Sequence, residues 1–426
     1  MKTRINFIAL LALLVLIACR VSFTGSPSLA GERTWTPLGG TIVPGEKALP
    51  GTVPPSPGNL HRTPTTSPTP PTPPTPTASP TPSPTVASLQ EFVVTIPAPS
   101  LKGNLIGERS EQTAQIYLPP SYDTSALRYP VVYFLPGFGS DTRGHGHYFS
   151  MPELPGLMKD GSIKEMIMVV PNGANLLGGS FYVNSPVTGN WEDFITQDVV
   201  GYIDANYRTI AAPEGRGIAG HSMGGFGALN LAMRHPDLFS SVYGLSSGLF
   251  DEKGLSNSQM FDESKKPRLF LERQEQLASL STEDAILEMI HYEGAMRFTL
   301  AYGAAFAPNV DLGPPFFDYP YAKEDGEIKR QRLEWQRWEK GLGDWKRKIA
   351  DNHANLARLS GIVLDYGRLD SFKWITSGSE YVAKQLNQAG IPARLYAFDG
   401  DHNNMIQERI LEIAMPFFSE VLEGAR

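Results

Sequence analysis

The stretch Gly217-Ile-Ala-Gly-His-Ser-Met-Gly-Gly-Phe-Gly-Ala-Leu-Asn-Leu-Ala232 decides the fold of this chain of 426 residues. It starts as an apolar run, passes through the pattern Gly-x-Ser-x-Gly and continues as a helix-forming segment. In a strand, sharp turn and helix of this kind, the serine hydroxyl projects from the end of a sheet, and the small glycines relieve crowding at the turn. The stretch therefore predicts that Ser222 is a nucleophile.

The same pattern occurs a second time, at Gly244-Leu-Ser-Ser-Gly248. This copy also ends an apolar run, but the residues that follow, Leu-Phe-Asp-Glu-Lys-Gly, do not start a helix. Without the helix the turn that activates a serine is missing. We therefore interpret Ser246 as an ordinary serine between a strand and a loop.

Apolar runs alternate with helical patterns from residue 90 onward. The runs at 129–135 and 166–171 are continuous, as expected of strands that are buried on both faces. Further strands are predicted at 241–245, 361–366 and 393–398, and helices follow the last two. Repeated strand–helix units predict an α/β fold with a mostly parallel, doubly wound sheet, occupying one domain at 90–426.

Residues 250–355 interrupt this alternation, because they are charged, aromatic and helical and contain no good strand. Ser281-Thr-Glu-Asp predicts the start of one helix, and residues 327–348 are predicted to form another. Because the segment lies between two strands of the sheet, it predicts a helical cap over the site. Trp335, Trp338 and Trp345 either line a pocket there or pack a small helical core.

A serine nucleophile needs a base, and four histidines follow Ser222 in the sequence. His235 ends the helix after the turn, whereas His291 and His353 belong to the cap and its exit. His402 lies in a loop just after the last strand, in Phe398-Asp-Gly-Asp-His-Asn. We therefore expect His402 to be the base.

The base needs an acidic residue that orients it, and sheets of this type supply the groups in the chain order Ser, Asp or Glu, His. Asp365 lies within the strand Ile362-Val-Leu-Asp-Tyr-Gly, where it points to one side of the sheet. Asp370 lies beyond the end of this strand and can reach the base. Asp399 and Asp401 are too close to the histidine in the loop to face its ring. Asp370 is therefore the predicted acid.

The oxyanion of a tetrahedral intermediate needs backbone N–H donors. The amide of Met223 follows the nucleophile directly and begins a helix, so it is one predicted donor. The loop Pro136-Gly-Phe-Gly139, which follows another strand, is expected to supply the second from Phe138.

Several motifs together resemble the esterase D group of α/β-hydrolases, which contains S-formylglutathione hydrolases, bacterial feruloyl esterases and mycolyltransferases. The similar pieces are Tyr129-Pro-Val-Val-Tyr-Phe-Leu-Pro-Gly, Ser180-Phe-Tyr-Val-Asn-Ser, Gly189-Asn-Trp-Glu-Asp-Phe, Gly220-His-Ser-Met-Gly-Gly, Leu364-Asp-Tyr-Gly-Arg-Leu-Asp and Gly400-Asp-His. The resemblance covers roughly residues 115–405.

The resemblance implies an α/β-hydrolase fold, the same three roles for Ser222, Asp370 and His402, and an oxyanion hole formed by Phe138 and Met223. It also implies that Trp191 lies near the mouth of the site and contacts substrate. The chain departs from the family at Pro136, where many relatives have histidine. The long cap is a second departure, and it leaves the acyl preference open.

The N-terminal segment predicts export and attachment to a membrane. Basic Lys2 and Arg4 precede an apolar run, so residues 1–18 are expected to be a signal peptide. Cys19, the only cysteine of the chain, closes a segment that resembles a bacterial lipobox and is the expected lipidation site. An ordinary signal peptide or an uncleaved anchor is the alternative. We expect residues 19–61 to be disordered, and residues 62–86, almost wholly Pro, Thr and Ser, to form an extended linker.

These features favour a membrane-anchored serine ester hydrolase that acts outside the cell without a cofactor. The resemblance implies acylated saccharides or other small acyl esters as its substrates. An acyltransferase with the same chemistry and a non-catalytic surface-binding lipoprotein are the alternatives. The net charge of −7 makes nucleic acid an unsuitable partner. His145 and His147 lack a placed third ligand, so no metal site is predicted.

Overall fold

The computed structural model describes residues 88–140 and 146–426. The described part lies within one compact unit, Pro80–Arg426. The predicted signal peptide, Cys19, the segment 19–61 and the linker 62–86 lie outside the described residues, as does His145. In the described ranges, no helix combines the length and apolar character that a membrane span requires.

Twelve strands are described in these ranges, eight of them in one sheet. The strands are β1 Gln90–Pro97, β2 Glu111–Leu118, β3 Val131–Leu135, β4 Ile167–Pro171, β5 Asn184–Ser185, β6 Gly189–Asn190, β7 Arg216–His221, β8 Ser241–Leu245, β9 Tyr321–Glu324, β10 Glu327–Arg330, β11 Gly361–Gly367 and β12 Arg394–Phe398. The large sheet has the order β1-β2-β4-β3-β7-β8-β11-β12. Only β2 runs against the other seven strands of this sheet.

Helices connect the strands and cover both faces of the sheet. The helices are α1 Leu154–Lys159, α2 Trp191–Asp193, α3 Val200–Asn206, α4 Met223–Arg234, α5 Gly254–Asn257, α6 Lys265–Ala278, α7 Thr282–Ile290, α8 Gly294–Phe306, α9 Arg332–Glu339, α10 Trp345–Asp351, α11 His353–Leu356, α12 Lys373–Gln388, α13 Ile406–Arg409 and α14 Met415–Val421. A π-helix, Phe194–Val199, joins α2 to α3, and another, Ile410–Ala414, joins α13 to α14.

The continuous apolar run of β3 is explained by burial on both faces. Val131, Tyr133 and Leu135 belong to the larger core cluster, whereas Val132 and Phe134 belong to a second cluster on the opposite face. Successive side chains of a strand point to opposite faces, so a strand between two cores needs apolar residues at every position. The strand order and strand directions of the large sheet, together with the helices on both of its faces, confirm the predicted α/β-hydrolase fold with a mostly parallel, doubly wound sheet.

The segment 250–355 forms helices α5–α11, as expected of a helical cap insertion, but it also contains a hairpin. Strands β9 and β10 pair around Asp325-Gly326, which both have positive φ angles, 52° and 83°. The prediction that this segment has no strand was therefore wrong, and the single helix predicted at 327–348 is instead β10, α9 and the start of α10. The predicted start of α7 is present, because Ser281 Oγ accepts a hydrogen bond of 3.1 Å from the amide of Asp284.

The three cap tryptophans pack a core and do not line the cavity described below. Trp338 is fully buried and contacts the rings of Tyr302, Phe317 and Tyr319. Trp335 and Trp345 are also buried. Of the two interpretations of these residues, the helical core is correct.

Candidate active site

The turn between β7 and α4 holds Ser222 in a strained backbone conformation, with φ 56° and ψ −116°. A Cβ added at Gly220 would lie 2.2 Å from the carbonyl oxygen of Gly224, and one added at Gly224 would lie 1.8 Å from that of Leu135. Neither position has room for a side chain. The predicted strand–turn–helix is therefore present, and its glycines are required by close packing of backbone against backbone.

Ser222, His402 and Asp370 form one chain of hydrogen bonds. His402 Nε2 lies 3.0 Å from Ser222 Oγ, and His402 Nδ1 lies 2.7 Å from Asp370 Oδ2. Asp370 is fully buried, and its Oδ1 accepts a hydrogen bond of 2.8 Å from the amide of Phe372. The carboxylate thus fixes the ring so that Nε2 faces the hydroxyl, the geometry that a general base needs.

A second histidine, His221, holds the loop that carries His402 through a hydrogen bond to its backbone. His221, the last residue of β7, is buried, and its Nε2 donates to the carbonyl oxygen of His402 at 2.8 Å. The two rings lie 4.7 Å apart. Sequence reasoning did not identify this role, although His221 directly precedes the predicted nucleophile.

The rejected serine and carboxylate lie outside this chain of hydrogen bonds. Ser246 is buried after β8, has a φ of 41°, and its amide donates to the carbonyl oxygen of Asp365 at 2.7 Å. The Asp365 carboxylate accepts from Tyr243 Oη and from Arg409 Nε, each at 2.8 Å. Burial raises the pKa of the Asp365 carboxyl. This group is engaged in a structural contact between the sheet and the C-terminal helices.

The three rejected histidines also have other partners. His235 Nε2 lies 2.7 Å from the carboxylate of Glu192, and His353 Nε2 contacts the carbonyl oxygen of Ala389 at 2.9 Å. His291 contacts a carbonyl oxygen of its own helix. Of the four candidates, only His402 contacts Ser222.

The two residues that are predicted to supply oxyanion donors both lie close to Ser222. Met223 is the first residue of α4, so its amide has no partner within the helix. A Cβ at Gly137 would lie 3.3 Å from Ser222 Cβ, which shows that the loop carrying Phe138 passes close to the serine. Phe138 and Met223 both line the cavity at Ser222. Both residues thus lie beside the nucleophile at the cavity, and their role as oxyanion donors stays a prediction.

Two residues in an unusual conformation support the loop at Pro136. Phe181 and Tyr182 have positive φ angles, 52° and 55°, and both are fully buried. The Tyr182 hydroxyl donates to the carbonyl oxygen of Pro136 at 2.8 Å, and the amide of Phe181 contacts Met223 Sδ at 3.4 Å. Strain of this kind persists only where surrounding contacts hold it.

A cavity of about 990 Å³ opens at Ser222. Part of its wall comes from the cap, through the first turns of α8 and Leu342. Aromatic side chains from the cap and from the rest of the domain form much of the wall. They are Phe138, Tyr148, Phe181, Phe298, Phe372 and Trp374. The cavity is large enough for a drug-sized molecule or a short saccharide with an acyl group.

Trp191 does not have the role that the resemblance implied. It is fully buried at the start of α2, its Nε1 donates to the carbonyl oxygen of Thr188 at 2.8 Å, and its ring packs edge-on against Phe194. It is not among the residues that line the cavity. The prediction that it binds substrate is therefore wrong, because the residue packs inward in the domain core.

No metal-binding cluster of three or more His, Cys, Asp or Glu side chains occurs within residues 88–140 and 146–426. His147 lies at the cavity wall, with its Nδ1 3.7 Å from a carboxylate oxygen of Glu91.

Comparison with known proteins identifies relatives of this chain. The profile of the Esterase family, described as "Putative esterase", matches residues 108–405. Esterase Rv1288 of Mycobacterium tuberculosis (strain ATCC 25618 / H37Rv) is 36% identical over 132 residues, which are 30% of this chain and 27% of the relative. An endo-1,4-beta-xylanase/feruloyl esterase of Xylanibacter ruminicola is 32% identical over 145 residues, 32% of this chain and 19% of the relative.

The chain thus spans less than a third of the length of either curated relative. A solved ferulic acid esterase is 20% identical and has a TM-score of 0.49, with 79% of this chain and 100% of that chain covered. The family profile covers more than half of the sequence and includes Ser222, Asp370 and His402. This protein belongs to the Esterase family.

Proposed function

We propose that the chain is a serine carboxylic ester hydrolase that works through an acyl-enzyme. The observation that carries this proposal is the hydrogen-bonded chain from Ser222 through His402 to Asp370 at the base of a cavity. Membership in the Esterase family supports the same reaction.

In the first half-reaction, Ser222 Oγ attacks the carbonyl carbon of the ester while His402 Nε2 takes the hydroxyl proton. The carbonyl oxygen becomes an oxyanion that the amides of Phe138 and Met223 stabilise. The imidazolium is stabilised by Asp370, which accepts the Nδ1–H hydrogen bond. When the intermediate collapses, the bond to the leaving oxygen breaks, His402 returns its proton to that oxygen, and the alcohol departs.

In the second half-reaction, His402 Nε2 takes a proton from water, whose oxygen attacks the acyl carbon. A second oxyanion forms at the same amides and collapses, the bond to Ser222 Oγ breaks, and His402 returns the proton to the serine. The products are a carboxylic acid and the free enzyme. Transfer to a sugar hydroxyl instead of water would be the same chemistry with another acceptor.

We propose acylated saccharides or other small acyl esters as substrates. The size of the cavity and its aromatic wall support a substrate with a flat or cyclic part, because sugars and aryl groups pack well on aromatic rings. The names of two relatives, which include feruloyl esterase and ferulic acid esterase, support the same class.

Turnover of simple esters by the full chain tests this proposal. We expect hydrolysis of p-nitrophenyl acetate, p-nitrophenyl butyrate or methyl ferulate by the wild type, a loss of at least about 10³-fold in Ser222→Ala, and near-normal rates in the matched control Ser246→Ala. Product analysis with an acceptor sugar present separates hydrolysis from transfer. A wild type that neither hydrolyses nor transfers any of these acyl groups would contradict the proposal and favour a binding protein.

We also propose that the enzyme is anchored to a membrane on its extracytoplasmic side through lipidated Cys19. This proposal rests on the sequence of residues 2–19. Cys19→Ala should move the protein from the membrane fraction to the soluble fraction of cells that express the full chain. Retention of the variant in the membrane fraction would argue for an uncleaved anchor.

A further inference from the structure

Arg297 of α8 lines the cavity and lies next to the loop that carries the proposed oxyanion donor. A Cβ at Gly178 would be 2.7 Å from Arg297 Nε and 3.0 Å from Cζ of Phe138, so the guanidinium and the Phe138 ring meet at this glycine. Gly178 has a φ of 99°, a conformation that favours glycine. The cap thus brings a positive charge to the wall of the cavity, and the absence of a side chain at Gly178 leaves room for it.

The guanidinium has few partners there. Within residues 88–140 and 146–426 the guanidinium makes a single hydrogen bond, from Nη2 to the carbonyl oxygen of Leu176 at 3.5 Å, and its Nε is buried without an acceptor. Within the described residues no carboxylate oxygen pairs with it. Three other arginines each pair with a carboxylate, and in each of these pairs at least one of the two side chains is largely buried. They are Arg216 with Asp204, Arg234 with Glu192 and Arg409 with Asp365.

An arginine has five N–H donors in a planar fork, and a partly buried guanidinium with most of these donors unpaired is unfavourable. Such a group in a substrate cavity is stabilised when the ligand supplies an anion. The charges of the wall favour an anion with one negative charge, because the described lining contains no lysine and includes two exposed carboxylates, Glu293 and Glu408. A carboxylate matches the fork in both shape and charge.

We propose that Arg297 binds a carboxylate that is part of the ester substrate, in either its acyl or its alcohol portion. This inference rests on the proposed ester hydrolysis and specifies the substrate class for that site. Arg297 then determines specificity, whereas Ser222, His402 and Asp370 perform the reaction on any ester that fits.

Matched ester pairs test this role on the full chain. For the acyl side, p-nitrophenyl hydrogen succinate and p-nitrophenyl pentanoate have similar lengths but differ in one terminal carboxylate. For the alcohol side, 4-carboxyphenyl butyrate is compared with 4-methylphenyl butyrate. The quantity measured is the ratio of kcat/KM for the anionic ester to kcat/KM for its neutral partner, in the wild type and in each variant. Intrinsic differences in ester reactivity cancel when these ratios are compared.

In Arg297→Met we expect the ratio for one of the two pairs to fall about 10- to 100-fold, the effect of losing hydrogen bonds to a charged partner. Arg297→Lys keeps the charge but not the fork and should give an intermediate ratio. The matched control is Arg268→Met, which removes one positive charge from an exposed position of α6 in the same cap. Its ratios should equal those of the wild type. If Arg297→Met does not fold, Arg297→Gln replaces it.

Unchanged ratios in Arg297→Met for both ester pairs would overturn the inference, and so would an equal fall in Arg268→Met, because the effect would then come from the general field of the cap. Which pair responds shows which portion of the substrate carries the carboxylate. Failure of the proposed function gives a different result, since the wild type would then hydrolyse neither the neutral nor the anionic esters.

Discussion

Replacing Tyr182 by phenylalanine removes one buried hydroxyl group and leaves the rest of the side chain in place. In the wild type that hydroxyl donates to the carbonyl oxygen of Pro136 at 2.8 Å. Pro136 is two residues before Phe138, whose amide is a proposed oxyanion donor. No other hydrogen bond to this carbonyl oxygen is formed within the described ranges. The variant therefore removes one hydrogen bond that holds the loop Pro136–Gly139 and leaves the other contacts of the Tyr182 side chain in place.

The size of the effect follows from the loss of this donor. A buried carbonyl oxygen left without a partner costs about 1–3 kcal/mol, which the variant can avoid by shifting the loop toward another donor. Returning the loop to its working position in the transition state would then cost up to the same amount, and about 1.4 kcal/mol corresponds to a factor of ten in rate. Complete loss of an oxyanion donor costs about 10²–10³-fold in kcat, which sets the upper limit. We expect a fall in kcat of about 5- to 100-fold with KM nearly unchanged.

Steady-state kinetics with p-nitrophenyl butyrate measure kcat and KM, and urea unfolding of the same samples measures the free energy of unfolding. The matched control is Tyr129→Phe, which removes an equally buried hydroxyl near the opposite end of β3, where it contacts Ser121 Oγ at 2.7 Å and Ser125 Oγ at 2.6 Å. This control should lose stability without losing kcat. If Tyr182→Phe keeps the wild-type kcat, or if both variants lose kcat equally, the support of the oxyanion loop by Tyr182 is refuted.

Three further substitutions test the role of the acid and the effect of burying a lysine in the cap. Asp370→Asn should lower kcat by about 10³–10⁴-fold, because an amide no longer stabilises the imidazolium. The control Asp365→Asn alters the contact with Arg409, so it should lower the free energy of unfolding and largely preserve kcat. Equal losses of kcat in the two variants would contradict the assignment of Asp370 as the acid. Lys348 Nζ donates to the carbonyl oxygens of two cap residues, at 2.8 and 2.6 Å, and burial lowers its pKa to about 7. In the unfolded chain the pKa of this lysine is about 10.4, so between pH 7 and 10.4 Lys348 is protonated in the unfolded chain and neutral in the folded chain. The free energy of unfolding therefore rises with pH across this range, by up to about 4 kcal/mol. Urea unfolding at pH 7.0 and 9.5 should show that Lys348→Met loses this contribution, and equal pH dependence in the two proteins would contradict the effect of burial.

The sequence was most informative where local pattern and sheet topology act together. The ends of parallel strands meet at one edge of a sheet, so a residue just beyond a strand can be placed without knowing its distant neighbours. Ser222 follows β7, Asp370 follows β11 and His402 follows β12, and the structure brings these three predicted residues together. Their catalytic roles stay predictions until the experiments above are performed.

Features that depend on contacts between distant segments were not predicted. The inward packing of Trp191 depends on its tertiary surroundings, which the resemblance did not specify. Arg297 lies in a cap whose placement over the sheet has no sequence pattern of its own. The hairpin β9–β10 is strongly charged and lacks apolar alternation, because most of its residues are exposed and Tyr321 is the one that packs against the larger core cluster. Its one sequence signal was Asp325-Gly326, a pair typical of tight two-residue hairpin turns.

Covalent labelling of Ser222 tests the central claim most directly. A fluorophosphonate probe reacts with a serine hydroxyl only when a base activates it and an oxyanion site accepts the phosphoryl oxygen. Incubation of the full chain with the probe, followed by peptide mass spectrometry, should show one phosphonyl group per chain, located on Ser222, absent in Ser222→Ala and retained in Ser246→Ala. Labelling of another residue, or no labelling of a folded wild type, would contradict the account.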